Sequence, residues 1–312
     1  MTPHGIVIVD KPAGITSHDV VDKIRRIFRT KRVGHTGTLD PEATGVLAIC
    51  IGNGTRLAEY LSCSEKRYLA EVTFGIETNT QDIWGDTIAE TDASHITAAD
   101  LQQALSAFRG RIEQIPPMVS ARRHEGKHLY ELARKGVTVE REARPVEILL
   151  LEATEFRLVD GNHPTCRLEV ICSTGTYIRT LAHDIGQALR VGAAMSALRR
   201  THVGSIDRGF HLEQAHTLEQ LQEIATNGAD ALRAAVLPLS VAVADWPSAT
   251  LDDGQEQRIR HGHTVLVSET ELTIEQLNAS TKPIALLRPD NTLIAVARLR
   301  DESLQPVKVM AD

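Results

Sequence analysis

The chain has 312 residues, 42% hydrophobic and 24% charged, with a formal net charge of −7, a composition that describes an ordinary soluble globular protein and excludes disordered and fibrous classes. No stretch approaches the roughly 18 consecutive apolar residues of a membrane span, and the first ten residues lack the basic start and long apolar core of a signal peptide. The length predicts two domains, and four cysteines without a Cys-x-x-Cys, beside thirteen histidines without a zinc-ligand spacing, predict buried core thiols, no metal and a cytoplasmic protein.

Gly5–Asp10 reads as a short buried strand. The turn Lys11-Pro12-Ala13-Gly14 follows, and Thr16 with Asp19 makes a capping box. The helix behind it places Val20, Val21, Ile24, Ile27 and Phe28 on one face and its arginines on the other. A loop of small residues around Asp40 leads into the apolar run Val46–Ile51. Lys66–Phe74 alternates as a strand with Tyr68 near its start, Thr78–Gly85 is a polar loop, and Ala98–Phe108 reads as a helix through Leu101, Leu105 and Phe108. Ile115-Pro116-Pro117-Met118 breaks the chain. The segment 119–144, with Gly126, Gly136 and a short helical pattern in Leu129, Leu132 and Ala133, reads as an excursion from the main sheet, a flap insertion.

Thr165–Ser173 is a strand by strict alternation, with Cys166, Leu168, Val170 and Cys172 on one face. Gly175 turns the chain into a helix from about Tyr177, with Leu181, Ile185 and Leu189 at fourfold spacing. A small-residue loop, Gly192–Ser196, leads to Leu198-Arg199-Arg200. Helical stretches at Leu218–Ile224 and Asp230–Ala235 close the first domain, expected over residues 1–245, and Pro238–Pro247 reads as a linker. Beyond Thr250 come a short helix (Asp253–Arg260) and brief strands at Thr264–Val267, Ile284–Arg288 and Leu293–Leu299, with Pro289-Asp290-Asn291 as a hairpin turn. They suggest a small β-barrel over residues 246–312, small for an independent core.

The charge is segregated. Asp22–Arg32 holds six basic residues and one acid, and Arg109–Arg144 nine basic residues and five acids. Glu77–Asp100 instead holds six acids with no Lys or Arg, and Asp245–Asp312 eleven acids against seven bases. Such a distribution allows a basic face on an acidic protein, and local field rather than net charge steers a polyanion. The helix 23–32, the flap and Arg199-Arg200 would form that face, with Glu77–Asp100 pointing away. Taken singly, each run reads equally well as a solvated surface, as Arg199 and Arg200 do.

The most informative stretch is Gly34-His35-Thr36-Gly37-Thr38-Leu39-Asp40-Pro41-Glu42-Ala43-Thr44-Gly45-Val46-Leu47. Pro41 biases Asp40 toward extended geometry, and Gly37 and Gly45 allow tight turning or close approach. An isolated acid held this way suits a nucleophile or a charge stabiliser, whereas a lone Leu39-Asp40-Pro41 would read as a capping turn. The whole string resembles the catalytic loop of pseudouridine synthases of the bacterial TruB type, which isomerise a uridine in the T-loop of tRNA. Asp10–Ser17 is similar to that family's opening motif, Lys66-Arg67-Tyr68 to the one carrying its active-site tyrosine, and Gly175–Gly186 to the segment with a second pocket tyrosine and an arginine. Leu198-Arg199-Arg200 falls where the family has its pocket leucine.

The resemblance implies an α+β fold, a mixed central sheet flanked by helices, with a basic flap insertion and a small C-terminal β-barrel of the PUA type. It assigns the required acid to Asp40, as nucleophile or as the anion stabilising charge at C1′. Arg179 would pair with it and fix its orientation. Tyr68 would stack on the uracil and is a candidate to relay a sugar proton, while Tyr177 and Leu198 complete an apolar wall. His35 would fill the space left by an extruded base, and Lys11 would support the fold of the site. The implied partner is the T-arm stem-loop of tRNA, with no cofactor, no membrane and no obligate protein partner, for a chain acting as a monomer. Departures from the family pattern are Val119 in place of an aromatic, Glu42 in place of an apolar residue, and the loose match of Val203–Ile206. Two rivals are a non-catalytic tRNA-binding or chaperone protein and a carboxylate-dependent hydrolase of a small glycoside; the single rather than paired acid speaks against the second.

Overall fold

The computed structural model describes residues 3–310 except 63, 121, 122, 125, 134, 159, 160 and 206–208, so Cys63 and the flap residue Arg122 lie outside the described residues. The chain begins with β1 (Gly5–Lys11), α1 (Ser17–Ile27), β2 (Val33–His35), β3 (Thr44–Ile51), α2 (Ala58–Leu61), β4 (Lys66–Phe74), β5 (Ile76–Thr78), β6 (Thr87–Glu90), α3 (Ala98–Leu105) and β7 (Gly110–Gln114). The flap region carries β8 (Arg123–His124), β9 (Lys127–His128) and α4 (Leu129–Ala133). Then come β10 (Arg144–Arg157), β11 (Thr165–Cys172), α5 (Ile178–Ala188), β12 (Ala193–Val203), β13 (Phe210–His211), α6 (Leu218–Thr226) and α7 (Ala229–Ala234). The tail is built from β14 (Ser248–Thr250), α8 (Asp253–Arg260), β15 (Val265–Leu266), α9 (Ile274–Ala279), β16 (Ile284–Leu287), β17 (Leu293–Arg300) and β18 (Ser303–Val309).

The expected α+β class is observed. A mixed sheet runs β1-β3-β12-β4-β11-β10-β7, with β2 added to β3 and β13 to β12. A parallel pairing of β12 on β3 aligns Arg199 with Thr44 and Arg200 with Gly45. The tail is a second, curled sheet in the order β14-β16-β17-β18-β15.

Local sequence explains these elements. Thr16 and Asp19 do form a reciprocal capping box at the head of α1. In β1, Ile6 and Ile8 face one cluster while Val7 and Val9 face another, built with α1 and α6. A strand covered on both faces reads as a continuous apolar run, not an alternating one. On β4, Tyr68, Ala70, Val72 and Phe74 share one buried face against α3 and α5. Cys166 and Cys172 lie in that same core, and Cys50 is buried as well; burial pushes the Cys50 and Cys166 thiols up to about 12, which keeps them protonated.

Three sequence readings are corrected. Gly192–Ser196 is not a loop: its last four residues open β12, and small residues stand there because neighbours press close. A Cβ on Gly186 would fall 2.3 Å from the Ala193 nitrogen. Pro238–Pro247 is not a free linker, since Leu239–Val243 forms a 3-10 helix whose Leu239, Ala242 and Val243 are buried. The long strand β10 has no counterpart in the sequence reading, because register shifts at Ile148/Leu150 and Ala153/Glu155 break its alternation.

Candidate active site

Asp40 stands in the loop between β2 and β3, and the loop is tied down from several sides. The Ala43 amide donates to the Asp40 carbonyl at 3.1 Å, closing a turn. Ser17, at the start of α1, accepts from the Leu39 amide at 2.8 Å and donates to the Leu39 carbonyl at 3.1 Å. Gly14 donates to the Pro41 carbonyl at 3.1 Å. Gly14 and Ser17 of the motif Asp10–Ser17 thus hold the residues on either side of Asp40.

Lys11 is the strongest of these ties. Its side chain is fully buried, and Nζ donates to the carbonyls of Pro12, Pro41 and Ala43 at 2.8, 2.8 and 2.7 Å. Burial pushes its pKa down to about 8, while three carbonyl acceptors favour the ammonium form. Lys11→Met should lower unfolding stability by about 2–4 kcal/mol, because it orphans buried carbonyls, and turnover should fall with it. A denaturation midpoint equal to that of the parent would show that those carbonyls find other donors.

Arg200 holds the other flank. It is 1% exposed, and its guanidinium donates to the carbonyls of Val46 at 2.7 Å and Gly37 at 3.1 Å. Close packing at this crossing explains Gly45, whose φ is +101° and whose added Cβ would lie 2.1 Å from the Arg200 carbonyl oxygen. Arg200 is thus not a surface residue. Arg199 is half-exposed, but pairs with Asp10 at 2.8 Å and donates to the Thr44 hydroxyl at 3.2 Å.

Arg179, in the first turn of α5, meets Asp40 as a fork: Nε lies 2.8 Å from Oδ2, and Nη2 donates to Oδ1 at 3.2 Å. It is 3% exposed. Its remaining donors reach the carbonyls of Thr80 at 2.9 Å and Val119 at 2.8 Å, and the Asp82 carboxylate at 3.5 Å. So part of the acidic segment 77–100 turns toward the site instead of away from it. Gln114 brackets Tyr177 from the end of β7, accepting from its amide at 2.7 Å and donating to its carbonyl at 3.0 Å. The sequence reading missed the roles of Ser17, Thr80, Asp82, Gln114 and Arg200. A Ser one turn from Lys11, and an Asp inside a polar loop between strands, were the available signals.

These groups border a cavity of about 660 Å³ whose lining includes Asp40, Tyr68, Tyr177, Arg179, Leu198 and Arg200. Asp40 is the only carboxylate among its described lining residues, and 39% of its side chain stays accessible. Tyr68 is buried, which pushes its pKa up against the lowering pull of Arg200, so the phenol keeps its proton. His35 does not line the cavity. It sits half-buried at the loop's base, its Nδ1 accepting from the Gly37 amide at 3.3 Å, and burial first, then Arg200 and His18, push its pKa down. Lys11 also stays behind the loop. A larger cleft of about 850 Å³ beside Tyr60, Trp246, Lys282 and Arg298 contains none of the candidate residues. Among the described residues no three His, Cys, Asp or Glu side chains converge as metal ligands.

A buried arginine fork holding one accessible carboxylate, in a pocket with two tyrosines and a leucine, has the means to stabilise a developing charge and to stack on a flat ligand. Comparison with known proteins narrows that. Residues 25–178 match the N-terminal domain of the TruB family of pseudouridylate synthases, and residues 179–244 the C-terminal domain of tRNA pseudouridylate synthase B. The tRNA pseudouridine synthase B of Symbiobacterium thermophilum is 50% identical over 258 residues, 83% of this chain and 82% of that one. The protein of the same name from Thermobifida fusca is 43% identical over 98% of both chains. Among solved structures, a chain of the Cbf5-Nop10-Gar1 complex superposes with a TM-score of 0.74 at 26% identity, covering 99% of this chain and 86% of that chain. Identity of this order over nearly the whole length exceeds what a common fold requires, and the chain belongs to the TruB family of tRNA pseudouridine synthases, which are isomerases.

Proposed function

We propose that the chain converts a uridine in the T-loop of tRNA to pseudouridine, with Asp40 as its essential carboxylate and nucleophile. The observation that carries this reading is the one accessible carboxylate among the cavity's described lining residues, oriented by Arg179 through a hydrogen bond and a 2.8 Å ion-pair contact. The reaction breaks the N1–C1′ bond, turns the uracil over and joins C5 to C1′. The proton lost from C5 is balanced by one gained at N1. No electrons and no group come from a second reactant, so the proposal needs no cofactor.

In this reading Tyr68 stacks on the uracil, Tyr177 and Leu198 wall it in, and the bound nucleotide fills the pocket and keeps water from C1′ while the bond is open. A stacked T-loop base is out of reach and has to be extruded. His35, held neutral by burial, suits the space that the base leaves. Lys11 acts through the loop, not on the substrate. A glycoside hydrolase would use two carboxylates facing one bond, yet Asp82 lies behind Arg179 and does not line the cavity. The tRNA arm is the partner, gripped by the basic flap, and the chain works as a monomer in the cytoplasm; no helix among the described residues is long and apolar enough to cross a membrane.

An unmodified tRNA transcript incubated with the protein should gain pseudouridine at one T-loop position, with no free uracil released. Binding without conversion would favour a chaperone role, and uracil release a hydrolase.

A further inference from the structure

Among the polar side chains of the cavity's described lining, Ser120 has a buried hydroxyl left unpaired. The residue is 5% exposed. Most buried hydroxyls are paired with protein or ordered water, so an unpaired one at a pocket wall calls for a partner, which a bound substrate can supply.

The backbone leading into it is held by hydrogen bonds. The Ser120 amide donates to the Met118 carbonyl at 3.1 Å, and the preceding carbonyl, of Val119, accepts from Arg179 Nη2 at 2.8 Å. That same nitrogen donates to Asp40 Oδ1 at 3.2 Å. At the other end of the Pro116-Pro117 stretch, Gln114 is locked to the backbone of Tyr177. Ser120 therefore stands on the Asp40 side of the pocket, next to the arginine that Asp40 and Val119 share.

We propose that Ser120 is a substrate-binding residue whose hydroxyl hydrogen-bonds the ribose 2′-hydroxyl of the extruded uridine. The inference rests on the uridine-isomerase reading above. If Asp40 works at C1′, the group beside it belongs to the sugar, and the 2′-hydroxyl sits on the adjacent carbon as both donor and acceptor. A serine hydroxyl has the same dual character, so the pair needs no charge and adds none to the reacting centre. Such a contact would also separate RNA from DNA at the target nucleotide.

The test is a four-way comparison of wild type and Ser120→Ala on two T-arm stem-loops, one all-ribo and one with 2′-deoxyuridine at the target. Conversion of the all-ribo stem-loop by wild type comes first; its failure would overturn the uridine-isomerase reading itself, before Ser120 is at issue. Given that activity, Ser120→Ala should lose about tenfold in kcat/KM on the ribo substrate, the worth of one hydrogen bond, and nothing further on the deoxy one. Ser120→Thr, which keeps the hydroxyl, should recover most of the ribo activity, and the melting temperature of Ser120→Ala should not fall. Where the deoxy substrate turns over too slowly, dissociation constants for the same four pairs give the same comparison. Equal losses on both substrates, or no loss on the ribo one, would overturn the assignment.

Discussion

Asp40→Asn is expected to lower turnover by at least about a thousandfold, as removal of a group acting directly on the reacting atoms does. The amide keeps the size of the carboxylate and can still accept from Arg179, which retains Asp82 and two carbonyls as partners. The fold should therefore survive. Affinity for unmodified tRNA should change little, because it rests mainly on phosphate contacts. Pseudouridine formation near the wild-type rate would show that Asp40 serves the loop and not the reaction.

Arg179→Met should show the second largest effect, and a different one. Removing the guanidinium takes the orienting fork from Asp40 and orphans the carbonyls of Thr80 and Val119, while Asp82 keeps the Thr80 hydroxyl and the Trp84 amide. Stability should drop by about 2–3 kcal/mol, below the figure for a fully buried pair because Asp40 keeps 39% of its side chain exposed. Turnover should drop at least about a hundredfold beyond what unfolding accounts for. Arg179→Lys keeps the charge but not the two-pronged geometry, and should recover stability better than rate. Equal recovery of both would mean that charge alone matters and orientation does not.

Asp40 and Arg179 were legible in the sequence because each sits inside a long string of specific residues. Their fork joins positions 139 residues apart in the chain, a pairing that the motifs implied and that no local periodicity contains. Lys11 was legible as part of a motif but not in its action, which is to bind carbonyls of a loop 30 residues away. Arg200 was misread for a physical reason. Two arginines in succession on a strand point to opposite faces, so Arg199 reaches Asp10 while Arg200 turns inward under the Asp40 loop. A basic pair looks like a surface whichever one is buried. Ser120 follows two prolines and carries no signal in its neighbours; only the cavity and the missing partner single it out.

The tail sheet is not hung on a tether. Leu293, Val296 and Met310 share one apolar cluster with Ile6, Val46 and Ala48 of β1 and β3, and Asn53 donates to the Met310 carbonyl at 2.8 Å. Cutting the chain after Pro247 would strip that cover from the strand that emerges from the Asp40 loop, so a truncated protein would measure damage to the first sheet as much as loss of the second. That shared cluster predicts that the two sheets melt as one body, and by linkage any ligand gripped by either should then raise the melting temperature of both. An RNA held at the tail would thereby steady the carboxylate loop at the far end of β3, with no change of shape.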